Sequence, residues 1–236
     1  IDVAAVSGQW AVGSVLPPTL LMNRTVLLAA AVAAAFASVD AQGASTIGLQ
    51  RDARVAEALA EVSPARLRAM DSALVSFGTR HTMSDTLSPT RGIGAARRWI
   101  HAQLLQAAKD CGGCLRIEYD TGSAVVGRSP ERPTVHLVNV VAWLPGRDTN
   151  RVVVMGGHYD SCICSTNSMD FTSDAPGADD DGSGTVAVME LARVMGKRFP
   201  QGFDASIAFI LYTGEELGLL GSTQFAERLK REGKRV

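Results

Sequence analysis

Two short apolar runs limit what this chain can fold into: "VVVM" at Val152–Met155 and "SIAFILY" at Ser206–Tyr212. Runs of this length and β-branched character read as buried strands. They predict strands over 151–157 and 205–212, with a helix over 184–195 between them. Further strands are expected over 115–120 and 135–144. A helix is expected over 63–77, where Ser63 supplies the N-cap and Pro64 stands in the first turn. Another covers 93–109, where Ile93, Ala96, Ile100, Leu104 and Ala107 recur at helical spacing before "CGG" ends it. A last helix covers 221–232. Strands alternating with helices predict an α/β fold, a mixed, mostly parallel sheet flanked by helices.

The N-terminal portion has a different character. From Met22 the text reads "MNRTVLLAAAVAAAFASVDAQGA": a short basic start, an apolar run, then small residues. That is the layout of a secretory signal peptide over 22–41, with 1–21 lying upstream of the true start. The apolar run is too short to span a bilayer. A buried core helix fits less well, because an Ala/Val run has no polar face to orient it. After removal of the leader no stable membrane anchor is expected, and the destination is secreted or periplasmic. In an exported chain the four cysteines, Cys111/Cys114 and Cys162/Cys164, are expected as disulfides, with three connectivities open. The rival is a structural zinc on all four thiolates, for which C-x-C spacing is poor. A net charge of −1 and an aromatic content of 6% remove the electrostatic and stacking arguments for a nucleic-acid partner.

The chemistry gathers where strands end. His158 directly follows the first apolar run, and Glu215 and Glu216 follow the second. Asp179, Asp180 and Asp181 stand in a row before the helix expected at 184, and adjacent carboxylates need a cation or solvent to be tolerated. In open α/β sheets ligands bind beyond the carboxyl ends of the strands. Three segments therefore deliver His, Asp and Glu to one sheet edge. One imidazole with carboxylates suits Zn²⁺, and a glutamate beside the metal can serve as general base on an activated water. Taken singly each piece has an ordinary reading, a structural histidine or a solvated acidic turn. The aspartate run also fits a calcium loop from Asp179 to Glu190, D-x-D-x-S-G-x5-E, although Pro176 and Gly177 oppose the helix that should enter it.

Together "GGHYDS", "APGADDDGSG" and "YTGEELGLLGS" resemble, in order and interval, the secreted bacterial zinc aminopeptidases of metallopeptidase family 28, leucyl aminopeptidase-like enzymes with a co-catalytic zinc pair. The resemblance covers about Thr90 to Val236. It implies a zinc-peptidase, phosphorylase/hydrolase-like fold and hydrolysis of N-terminal residues from peptides or proteins. It implies that His158 binds one zinc, Asp160 orients that histidine, Asp180 bridges both ions, Glu215 is the general base and Glu216 binds the second zinc. The family needs a further aspartate and histidine beyond the segment matching "KREGKRV". His81, His101 and His136 do not match those positions. The expected layout is therefore 1–21 upstream, 22–41 signal peptide, 42–89 an N-terminal helical segment and 90–236 an incomplete zinc peptidase domain, inactive by itself. Secretory glutaminyl cyclases, single-zinc acyltransferases, share the scaffold and similar first and third motifs, but depart from "DDDGSG". A non-catalytic calcium-binding module is the alternative of another class. No G-x-S-x-G elbow or P-loop is present.

Overall fold

The computed structural model describes residues 52–126, 133–164 and 169–236. The expected leader and the residues before it lie outside the described residues. In chain order the elements are α1 (Ala53–Ala60), α2 (Pro64–Val75), α3 (Gly92–Asp110), β1 (Arg116–Val125), β2 (Thr134–Leu144), β3 (Asp148–His158), a short π-type turn (Ala178–Gly182), α4 (Ser183–Arg198), β4 (Ala205–Tyr212) and α5 (Leu220–Arg231).

Helix starts follow local chemistry. Ser63 Oγ accepts the Arg66 N–H at the head of α2, with Pro64 in its first turn, where the missing N–H costs nothing. The five periodic residues of α3 are all buried. The sequence reading expects 42–89 to be helical but gives α1 no bounds of its own; this helix buries only Ala58 and leaves Val55 and Leu59 exposed. Ion pairs hold it instead: Arg198 contacts Glu57, and Glu61 meets both Arg198 and Lys197 of α4.

The four strands form one mixed sheet in the order β1-β2-β4-β3. Among the described strands the expectation of a mostly parallel sheet needs correction: β1–β2 and β2–β4 are antiparallel, and only β3–β4 is parallel. The reason lies in the connections. A parallel neighbour needs a crossover, usually helical, and α4 supplies one between β3 and β4, whereas no helix separates β1 from β2.

Side chains alternate across the sheet. Val140, Ala142 and Leu144 of β2 and Ile207, Phe209 and Leu211 of β4 face a core completed by Leu74, Ile93, Ile100, Leu104 and Met189 of α2, α3 and α4. Val141, Trp143, Ala208 and Ile210 point the other way and pack on Phe225 and Leu229 of α5. Each large apolar side chain buried in this way contributes about 1.5–3 kcal/mol. Helices thus flank both faces, as the sequence predicts. The parallel register sets His158 opposite Tyr212, so the residues just past both strands open onto the same edge.

Candidate metal centre

At that edge one buried carboxylate organises two segments. Asp160 is fully buried. Its Oδ1 accepts the Glu215 N–H at 3.3 Å, and its Oδ2 accepts the Glu216 N–H at 3.3 Å and the Thr82 hydroxyl at 2.9 Å. Thr82 Oγ1 in turn accepts the Gly214 N–H. Asp160 Oδ1 also lies 3.6 Å from His158 Nδ1. The chain that leaves β3 and the chain that leaves β4 are therefore tied through a single side chain.

The other ring nitrogen, His158 Nε2, faces Asp180 Oδ1 at 3.1 Å and Glu215 Oε2 at 3.8 Å. His158, Asp180 and Glu216 each offer a ligand atom within 4.8 Å of the others. Asp181 turns inward instead, accepting the His158 N–H and the Gly184 N–H, both at 2.9 Å. It joins β3 to the start of α4. A Cβ on Gly184 would collide with that carboxylate and push it off these two N–H groups. Of the three consecutive aspartates, Asp180 is the one presented to the imidazole.

Charge crowding shifts the titrations of the metal-free cluster. Burial opposes the imidazolium of His158, but the adjacent carboxylate of Asp160, with those of Glu215 and Asp181, outweighs it and raises the pKa to about 9. Loss of hydration, then the charges of Asp160 and Asp180, push Glu216 up to about 7 against the pull of His158. A neutral imidazole and two carboxylates at this spacing fit a zinc ion. Nδ1 faces the Asp160 backbone carbonyl at 3.2 Å, with the Asp160 carboxylate behind it at 3.6 Å, an arrangement that can orient the ring.

Three supporting residues carry no signal in the sequence motifs. Arg80 is fully buried and donates to the carbonyls of Tyr159, Leu74, Pro176 and Gly177, pinning the loop that leads into the aspartates. Thr82 is the second. The third is Asn139, fully buried within β2. Its Oδ1 accepts the Thr213 N–H and its Nδ2 donates to the Gly221 carbonyl, so it clasps both ends of the loop that carries Glu215 and Glu216. A polar residue inside an otherwise apolar strand is the one available hint, because such a group needs partners.

Residues 139–236 match the sequence profile of peptidase family M28. A "Probable zinc metalloprotease" of Pyricularia oryzae is 45% identical over 187 residues, 78% of this chain and 36% of that protein. Leucine aminopeptidase 1 of Coccidioides posadasii is 32% identical over 197 residues, 80% of this chain and 45% of that protein. The chain thus spans less than half the length of these relatives, which are fungal where the motif resemblance points to bacterial enzymes. LapB from Legionella pneumophila superposes with a TM-score of 0.58 at 26% identity, covering 78% of this chain and 44% of that one. Porphyromonas gingivalis glutaminyl cyclase superposes at 0.54 with 21% identity, 70% of this chain and 55% of that one, a likeness of fold.

Within residues 139–236 the calcium-loop alternative fails. Glu190, its required twelfth position, is almost fully buried and taken by Arg193 at 2.7 Å, by Arg66 at 3.3 Å and by the Ser63 N–H. Its role is to anchor the head of α2 to α4. The four-thiolate zinc reading fails too, because the cysteines pair as Cys111–Cys114 and Cys162–Cys164. His101 stacks on Tyr119 and His136 contacts Ser123, so neither joins the cluster.

Proposed function

We propose that the chain is part of an exported metallo-aminopeptidase that removes N-terminal residues from peptides with a zinc pair. The observation that carries this reading is the place of Asp160, whose backbone carbonyl meets the His158 ring while its carboxylate holds the backbone of Glu215 and Glu216. His158 and Glu216 would each hold one ion, with Asp180 between them. When bound, zinc supplies a water of pKa ~7 and polarises the scissile carbonyl. Glu215, beside His158 Nε2 and 35% exposed, accepts the proton of the attacking water and passes it to the leaving amine. The relationship to Leucine aminopeptidase 1 favours exopeptidase action on N-termini. Export is favoured by the leader-like text at 22–41 and by the pairing of all four cysteines as disulfides. Among the described residues no helix is long and apolar enough to cross a membrane.

The test uses the full-length protein. Glu215→Ala should retain zinc while kcat on aminoacyl-p-nitroanilides falls by ~10²–10⁴, the usual size of a general-base contribution. Glu216→Ala should instead lose zinc on dialysis. Near-normal turnover by a metal-replete Glu215→Ala protein would remove that residue from the role. Cyclisation of N-terminal glutamine in place of peptide hydrolysis would transfer the reading to a cyclase on the same scaffold.

A further inference from the structure

Glu216 has a second set of neighbours that the hydrolytic reading does not use. Its Oε2 lies 3.0 Å from Cys162 Sγ and 3.4 Å from Cys164 Sγ. The two sulfurs are joined as a disulfide, so neither carries a proton to donate, and these are contacts between lone pairs. The three atoms lie within 4.8 Å of one another. Tetrahedral zinc bound by two sulfurs and an oxygen at about 2.0–2.3 Å holds its donors roughly 3.5 Å apart. The two oxygen–sulfur spacings are close to that, and breaking the S–S bond frees the sulfurs to separate to the third. The segment entering the pair is rigid: Tyr159, Asp160 and Ser161 are fully buried, and Ser161 Oγ accepts the Arg80 N–H and donates to the Ala175 carbonyl. Cys164 is exposed, so a reductant can reach it. The other disulfide offers no counterpart, since Cys111 and Cys114 have the carbonyls of Ala108 and Gly196 as their oxygen neighbours.

We propose that Cys162, Cys164 and Glu216 form a second, thiol-dependent site for a divalent cation of the zinc group, available only when the Cys162–Cys164 disulfide is reduced. A dithiol supplies the electrons. One of its thiolates attacks the Cys164 sulfur, breaking the S–S bond and releasing the Cys162 thiolate. Its second thiol resolves the mixed disulfide, so that two electrons and two protons pass to the cysteines and the reductant leaves as a cyclic disulfide. Cation binding then displaces the two thiol protons. Thiolates select zinc, cadmium and similar soft ions over magnesium or calcium. Because Glu216 belongs to both ligand sets, a cation held on the thiols withdraws that carboxylate from His158 and Asp180.

Cobalt(II) is the probe, added to the full chain before and after treatment with a dithiol that is then removed by gel filtration. A near-ultraviolet thiolate-to-cobalt charge-transfer band is expected only after reduction. It should persist in Cys111→Ser/Cys114→Ser and in His158→Ala, vanish in Cys162→Ser/Cys164→Ser, and weaken in Glu216→Gln. Alkylating the reduced wild-type protein before adding cobalt should also abolish it, a check that does not depend on how the double variant folds. Absence of the band in the reduced chain, or its survival in Cys162→Ser/Cys164→Ser, overturns the proposal. Cobalt bound by the oxidised chain without that band reports on the His158 set alone, so the hydrolytic reading and this one fail separately.

Discussion

His158 and Glu216 hold protons that a metal must displace. With His158 raised to about 9 and Glu216 to about 7, a zinc ion entering at about pH 6 expels a proton from each, and at about pH 8 chiefly the one on His158. Apparent zinc affinity of the chain should therefore climb between pH ~6 and ~9 and level off above, which calorimetric titration at several pH values can read. An affinity flat across that range would contradict the crowding described here. Metal-free stability runs the other way. A histidine raised from 6.5 contributes fully below that value and loses its contribution as pH rises through about 9. A carboxylate raised from 4.5 adds a penalty that is absent in acid and complete above about 7. The denaturation midpoint of the metal-free chain should fall from pH ~6 to ~9. At this scale the sequence is legible where a residue ends a strand, as His158, Glu215 and Glu216 do. Which of three adjacent aspartates faces the imidazole is not legible from the residues alone, because that depends on the turn the backbone makes between Gly177 and Gly184.

The loop that follows β4 keeps its shape because β2 holds both its ends. Asn139 donates to Asp120 Oδ2 and the Gly221 carbonyl and accepts from Thr213. Asp120 is held in turn by Gln224 and Arg228 of α5. A Cβ on Gly221 would strike the Thr213 carbonyl and Asn139, so the closure is tight enough to require glycine. Asn139→Ala removes an acceptor and two donations from a site with no solvent access, and should lower unfolding free energy by about 2–4 kcal/mol, measurable by urea denaturation. Asn139→Asp keeps the acceptor but sets a carboxylate beside Asp120, and should cost more. Its folded pKa would be raised by that neighbour, so the extra penalty should fade as pH falls and grow as it rises. Equal stability of the two variants at neutral pH would show that the clasp is not what orders the loop. Helices α2, α3, α4 and α5 are readable from caps and period. Helix α1 is not, because ion pairs to α4 rather than a buried stripe hold it, and period-based reading sees only stripes.

For the molecule as a whole, the layers are legible and the pairing is not. Alternating strands and helices imply helices on both sheet faces, yet nothing in β1 or β2 announces which neighbour each takes or in which direction. The same limit applies to the metal site, whose completeness is a property of the whole assembly. Catalytic zinc takes three protein ligands and keeps one position open. Among the described residues His158, Asp180 and Glu216 supply one such set, enough for a single ion and not for a pair that shares Asp180. The zinc-pair reading needs further ligands, which the family resemblance gives as an aspartate and a histidine, and this chain spans 36% of the length of its Pyricularia oryzae relative. The 236-residue chain by itself should therefore bind no more than one zinc, weakly enough to be lost on dialysis, and should not hydrolyse aminoacyl-p-nitroanilides. On the zinc-pair reading, a longer polypeptide that supplies two further ligands should hold two ions and gain chelator-sensitive activity in the same step. Zinc content by atomic absorption and nitroaniline release, measured on both proteins, decide the matter. Two tightly held ions with chelator-sensitive turnover in the shorter chain would mean that its own residues complete the metal shell, and the zinc-pair assignment of Asp180 would have to be redrawn around them.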